Sequence, residues 1–159
     1  MAIGQAVDMG GDDLYVNNLY TGSSQPGQLV QAGPTVLRFV LEDVNFNSAN
    51  TDNTIAINLP GDVTQYVVNS VRIAKASASI STATLGVFTA AAAGGQTIAA
   101  NQAITVTQTA TDTNNNTMSL TLTNANTEAY NDTTLFVRVG TAQGSAATAD
   151  VIVTIHLLS

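Results

Sequence analysis

Hydrophobic and polar residues alternate along most of this chain, in short runs that end at Gly, Asn or Asp. The clearest run is the last one, at 149–158, which places Val151, Val153, Ile155 and Leu157 on one face. A period of two with enrichment in Thr and Val is typical of half-buried β-strands. The same pattern predicts further strands at 35–46, 54–59, 66–77, 84–89, 103–108, 117–123 and 134–139.

The spacing of these runs predicts the fold class. No stretch has a helical period of useful length, and Gly, Asn and Asp clusters separate some eight or nine strands. This predicts an all-β protein, an antiparallel β-sandwich or jelly roll of about eight strands with an irregular N-terminal arm. Gly94-Gly95 is the expected hairpin turn in its middle.

Two predicted strands carry a specific expectation about their faces. Strict alternation gives the 35–46 strand two rows that both contain large apolar side chains, so we expect the strand to be buried on both faces. Its first row is Val36, Val40, Val44 and Phe46, and its second row is Leu37, Phe39 and Leu41. In the 66–77 strand, we expect Val67, Val71 and Ile73 to point inward, with Ser70 and Arg72 outward.

The N-terminal residues differ from the rest of the chain. Residues 1–33 have neither a helical period nor a long strand, and they contain turn-forming stretches at 10–13, 17–18 and 21–27. We therefore predict an extended arm at 1–33 and a β-sandwich domain at 34–159. Two apolar clusters in the arm are the candidate partner-docking residues, with a leader lacking a partner or an additional edge strand as alternatives. These residues are Leu14, Tyr15, Val16, Leu19 and Tyr20.

Charge excludes several classes of partner. Charged residues make up 9% of the chain, and its net charge is −7. The chain therefore lacks the basic patch that binding to nucleic acid requires. The hydrophobic share of 45% argues against disorder. Apolar stretches such as 151–158 are far shorter than the roughly 20 residues of a membrane-spanning helix. Met1 to Gln5 lacks the pattern of a signal peptide, so we expect synthesis in the cytoplasm.

The side chains that catalysis and metal binding need are scarce. The chain has one histidine, His156, and no cysteine. The segment Asp112 to Asn116 matches the opening of a calcium loop, but its sixth position is Thr117 and its twelfth is Thr123. Glu42 and Asp43 are adjacent on a predicted strand and so cannot flank one substrate. We expect no catalytic residue, no cofactor and no metal site, and hence no enzyme.

Carbohydrate binding is the main alternative, because β-sandwich modules often bind sugars on exposed aromatic platforms. The chain has no Trp and four Tyr: Tyr15 and Tyr20 in the arm, Tyr66 at a strand start and Tyr130 in a predicted loop. This set does not form an obvious platform. A receptor- or glycan-binding module of a phage tail or a cell-surface structure nevertheless stays open as the second hypothesis.

The chain resembles the small decoration, or cement, proteins that bind the outside of tailed-phage capsids. The likeness covers most of the chain and has no diagnostic motif, so no family residue is carried over singly. It lies in an irregular arm followed by the segments 67–76, 85–88, 118–122, 135–139 and 151–158.

That resemblance implies a structural virion protein of a bacteriophage. Such a protein is made in the host cytoplasm, acts at the capsid surface as a homotrimer and bridges subunits of the major capsid protein. It binds neither nucleic acid, nor a membrane, nor a small-molecule substrate, and it needs no cofactor.

Overall fold

The computed structural model describes residues 36–107, 117–124 and 127–158, which form nine strands and no helix. Within them, no helix is therefore long and apolar enough to cross a membrane. The all-β prediction is confirmed. The strands are β1 (Val36–Asn45), β2 (Thr51–Ala56), β3 (Gln65–Ala74), β4 (Thr84–Ala90), β5 (Gly94–Ala103), β6 (Met118–Ser119), β7 (Ala129–Tyr130), β8 (Thr134–Thr141) and β9 (Thr148–Leu158).

The strand order is that of a jelly roll. One sheet has the order β1-β9-β3-β6, with the two-residue β7 also pairing with β3, and the other has the order β2-β8-β4-β5. All of the pairs are antiparallel. The chain crosses from one sheet to the other between most consecutive strands, as two interleaved Greek keys require. The predicted β-sandwich is therefore present in its jelly-roll form.

The core lies between the two sheets and is made of the alternate, inward-facing residues of each strand. Burying one such Val, Leu or Ile side chain contributes about 1.5–3 kcal/mol. The central strands β8 and β9 supply its fully buried middle: Leu135, Val137, Val139, Val151, Val153 and Ile155.

A β-bulge in β1 corrects the predicted faces of that strand. Leu41 pairs with Val151 and Val44 with Ala149, so two residues of β1 stand opposite the single residue Asp150. The extra residue reverses the alternation. Val44 is therefore buried in the core, although the sequence pattern placed it on the same face as Val36 and Val40. Those two valines lie on the outer side and are exposed, so the expectation of a strand buried on both sides was wrong.

A second bulge, in β3, corrects the face of Val67. Val68 pairs with Ile155 and Ser70 with Thr154, which leaves one extra residue in β3 between them. Val68 is buried and Val67 is half-buried on the outer side, the reverse of the expectation. Beyond the bulge, Val71 points inward and Arg72 outward, as predicted.

The β4–β5 hairpin turns earlier than the sequence predicted. The Gly94 N–H donates to the Ala91 carbonyl oxygen at 3.0 Å, and Ala92 and Ala93 between them have φ values of 57° and 60°. Positive φ at both central residues is the geometry of a type I′ hairpin turn. Gly94 and Gly95 therefore begin β5.

Two other predicted strands are shorter in the structure. Residues 104–107 are not in a strand, although Ile104 and Val106 are buried. The 117–123 strand contains only the two residues of β6.

Candidate interaction surface

Several predicted positions lie outside the described residues. The five docking residues Leu14, Tyr15, Val16, Leu19 and Tyr20 precede residue 36, and Asp112 to Asn116 fall within the gap at 108–116. The predicted boundary between arm and domain falls outside them as well. All three therefore stay predictions, and the surface of the jelly roll itself is what the structure adds.

The side of the five-stranded sheet that points away from the core carries exposed apolar side chains. We call it the outer sheet face and define it by the outward residues of β1, β9 and β3. Val36 and Val40 of β1 are 42% and 43% exposed. Pairing across the three strands forms the rows Val36–His156–Val67, Arg38–Thr154–Ser70 and Val40–Ile152–Arg72.

The outer sheet face also gathers most of the chain's cations. Arg38, Arg72 and Lys75, which follows β3, are exposed at this face, and they are three of the four Lys and Arg residues of the chain. The exposed Glu42 and the buried Asp150 lie beside Lys75, at the end of this face where β3 ends. The remaining arginine, Arg138, is in β8 of the other sheet. Cations and exposed valines thus share one surface.

A buried carboxylate, that of Asp150, anchors the outer sheet face at the end where β3 ends. Asp150 Oδ2 lies 2.8 Å from Lys75 Nζ, and Asp150 Oδ1 accepts a hydrogen bond of 3.2 Å from the Asp43 N–H. The hydrogen bond from Lys75 holds the pKa of Asp150 below its ordinary value, although burial opposes this. Asp150 lies near the start of β9, within the strand predicted at 149–158, and stands opposite the β1 bulge.

A second ion pair joins elements of the other sheet. Arg138 Nη1 lies 2.9 Å from Asp52 Oδ1, and the Ala92 N–H donates to Asp52 Oδ2 at 2.8 Å. Arg138 also donates to the Asn50 side chain at 3.0 Å. Burial alone raises the pKa of Asp52, but the Ala92 and Arg138 interactions lower it below its ordinary value. The group ties β2 and β8 to the β4–β5 turn and has a structural role.

The two tyrosines of the described residues are buried. Tyr66 and Tyr130 pair across β3 and β7 with ring centroids 6.0 Å apart, and the Tyr66 hydroxyl donates to the Asp132 carbonyl oxygen at 2.9 Å. Burial raises the pKa of both, that of Tyr130 to about 12. Tyr130 lies in a short strand, so its predicted loop position was wrong. Neither ring is available as a sugar platform.

Glu128 organises the polar rim next to Tyr130. Its carboxylate accepts a 2.6 Å hydrogen bond from Gln96 Nε2 and another from Asn124 Nδ2. The Tyr130 hydroxyl lies 3.5 Å from the same carboxylate. Glu128 therefore links β5 to the segment before β7, and its oxygens are occupied by neighbouring side chains of the same chain.

One open pocket of about 500 Å³ lies at one end of the sandwich. Its walls combine apolar side chains with amides and hydroxyls and contain no acid or base, so it offers no group for proton transfer. Across the described ranges, no group of three His, Cys, Asp or Glu could hold a metal ion. The pocket is lined by Ile57, Asn58, Leu59, Val63, Thr64, Asn131 and Thr133.

Neither a protein-family model nor a curated protein matches the chain. Among solved structures, it is similar to a viral particle of infectious bursal disease virus, with 18% identity and a TM-score of 0.33 over 87% of this chain. Particles derived from infectious bursal virus match at 15% identity and a TM-score of 0.28 over 97%. The chain spans 36% and 40% of the length of these two proteins. TM-scores this low establish no common fold, so the architecture rests on the two sheets described above.

Proposed function

We propose that this protein is a structural virion protein, a decoration or cement protein of a phage head. In this role it binds the outer surface of the head as a homotrimer and bridges subunits of the major capsid protein. The outer sheet face carries the proposal, because exposed valines and cations on one side of a rigid jelly roll suit contact with another protein. The proposal does not rest on the low-scoring similarity to viral particles.

The remaining surface is typical of a protein that is in contact with other subunits of an assembly. Only 9% of the residues are charged, and Thr, Asn, Ser, Gln and Ala supply most of the polar and small positions. Contacts made by such a surface are individually weak, but a linked trimer on a symmetric lattice binds through several of them at once. A protein that binds only the assembled shell stabilises that shell by mass action. This role needs no chemistry, so we propose that the protein is not an enzyme.

Binding to heads tests the proposal directly. Heads are assembled from the major capsid protein encoded in the same genome, mixed with the purified full chain and sedimented. We expect the chain to pellet with the heads and to raise the temperature at which they release their contents. A chain that stays in the supernatant at saturating concentration would overturn the proposal.

Deleting residues 2–30 tests the predicted role of the arm in the same assay. We expect the variant to keep the circular-dichroism spectrum of the full chain and to lose head binding. The matched control is Thr54→Lys, which adds a charge to an exposed position of β2 in the other sheet. The control should bind like the full chain. A folded deletion variant that binds normally would show that the arm is dispensable.

The second candidate, a receptor- or glycan-binding module, is favoured by the open pocket. Its Asn58 and Asn131 amides and its Thr64 and Thr133 hydroxyls could hydrogen-bond sugar hydroxyls above an apolar floor. The buried positions of Tyr66 and Tyr130 count against it. Specific binding on a glycan array that Asn58→Ala abolishes, together with no binding to heads, would favour this candidate.

A further inference from the structure

β1 has the sequence of an internal strand but the position of an edge strand. Five of its first six residues, Val36 to Leu41, are apolar, and both rows of the strand contain large side chains. A continuous apolar run of this kind is typical of a strand covered on both sides. In the described part of the chain, β1 pairs only with β9, and its other side has no partner strand. Sequence and position therefore disagree.

The open edge is regular for six residues. From Val36, opposite His156, to Leu41, opposite Val151, the register runs without a shift, and the bulge begins only after Leu41. Leu37, Phe39 and Leu41 on the inner side are only partly buried, although they pack against the core. Exposed, regular and apolar edges pair readily with other strands, and proteins usually cover them. The edge therefore fits an added strand.

The charge and composition of the arm identify an occupant. Residues 1–35 contain three acids, Asp8, Asp12 and Asp13, and no Lys or Arg. Asp12-Asp13 directly precedes the apolar cluster Leu14-Tyr15-Val16. The cations Arg38, Arg72 and Lys75 lie on the outer sheet face together with the exposed valines. One segment of this chain thus combines the acidic and apolar side chains that complement that face.

The connection favours the arm of a second copy. Residues 21–35 lie between Tyr20 and the start of β1 and can span up to about 50 Å when extended. In the proposed homotrimer, a head-to-tail exchange of arms covers every β1 edge when the ring closes.

We propose that residues 12–20 of a neighbouring copy add as a strand to the edge of β1. In this arrangement the added strand runs parallel to β1, with Asp12 beside Val36 and Val16 beside Val40. Asp12, Leu14 and Val16 then share the outer side, and Asp12 lies diagonally next to Arg38. Main-chain hydrogen bonds supply much of the affinity of such strand addition, and the alternate side chains supply its specificity. The inference rests on the proposed homotrimer and identifies the contact that holds it together.

Disulfide cross-linking tests this contact, because the chain has no native cysteine. One population carries Val16→Cys and another carries Val40→Cys, and the two are mixed, allowed to exchange and oxidised. We expect a covalent dimer in the mixture well above the level in either population alone. In the matched control, the second population carries Thr54→Cys, on the opposite side of the sandwich, and keeps Val40. A second pair in the same register, Asp12→Cys with Val36→Cys, is used if the first reduces folding.

Each outcome of the cross-linking decides the proposal. Dimers that exceed the control support it, and a yield equal to that of the control overturns it. A chain carrying both cysteines that closes only a disulfide within the monomer would overturn the exchange and show that the arm covers its own edge. Because free protein is used, this result is independent of head binding, so either proposal can fail alone.

A charge swap gives a second readout. Arg38→Glu and Asp12→Arg should each weaken self-association by about two- to fivefold, as is usual for one exposed ion pair. The double variant should recover most of the loss, and the single losses should shrink at high salt. Additive losses in the double variant would contradict the proposed register.

Discussion

The Asp43 N–H donates a 3.2 Å hydrogen bond to Oδ1 of Asp150, which lies opposite the bulge where β1 reverses its faces. Asp43 has a φ of 52°, a left-handed conformation that is rare for residues other than glycine. Lys75, which covers the other carboxylate oxygen, also has a φ of 52°. One buried side chain thus contacts two residues with unusual backbone conformations, and the bulge at Asp43 decides which valines reach the outer sheet face.

Replacing Asp150 should destabilise the fold more than replacing its cation. The side chain of Asp150 is 7% exposed and that of Lys75 is 65% exposed. We expect Asp150→Ala to lower the free energy of unfolding by about 1–3 kcal/mol, because the bulge loses its acceptor. The matched Lys75→Ala should cost less, because the exposed ammonium group can be replaced by water. Urea denaturation measures both, and equal losses would contradict this explanation.

Acid should destabilise the protein through the same carboxylate. The pKa values of Asp150 and Asp52 lie below the ordinary value of 3.8, so the folded state binds fewer protons than the unfolded state. Their contribution is complete above the unfolded pKa and is lost as the pH falls through the folded pKa. Stability should therefore fall below about pH 4. The fall should be smaller in Asp150→Ala, and an unchanged acid limb in that variant would argue against the assignment.

Alkali should destabilise the protein through the tyrosine pair. The pKa of Tyr66 lies above its ordinary value of 10.0, so its contribution is complete below about pH 10 and is lost as the pH rises toward the folded value. Tyr66→Phe should cost about 0.5–1.5 kcal/mol at neutral pH, because it removes the hydrogen bond to Asp132. It should also reduce the alkaline loss. Phenolate absorbance followed beside denaturation checks both effects.

The β4–β5 turn offers a stabilising substitution. Ala93 has a φ of 60°, which costs an L-residue about 1–2 kcal/mol and costs glycine little. After the greater flexibility of glycine in the unfolded chain is allowed for, Ala93→Gly should raise stability by about 0.5–1 kcal/mol. Ala90→Gly, within β4, is the control and should lower it. Thermal unfolding of both variants checks the sign.

The fold class and most strands could be predicted because buried strands obey a period of two. Leu135, Val137 and Val139 show this, and all three are buried as their alternation requires. The faces of β1 and β3 could not be predicted, since one inserted residue reverses the pattern and no local signal marks the insertion. The hydrogen bond made at the β1 bulge is accepted by Asp150, which lies 107 residues away from Asp43 along the chain.

The candidate surface was missed for the same reason. The alternation predicted that Val36 and Val40 would lie with Val44 and Phe46, and only the bulge separates the exposed pair from the buried one. The hairpin turn was misplaced because Gly94-Gly95 is the usual turn signal, whereas Ala92 and Ala93 adopt the positive φ values. The burial of Tyr66 and Tyr130 depends on the β3–β7 pairing, which the two-residue β7 does not reveal in the sequence.

The most direct test of the proposed function is an electron cryomicroscopy reconstruction of phage heads incubated with the full chain. We predict additional density on the outer surface, at three-fold or quasi-three-fold positions, into which three jelly rolls fit with each β1 edge covered by a strand from its neighbour. Heads without additional density at saturating protein concentration would contradict the account.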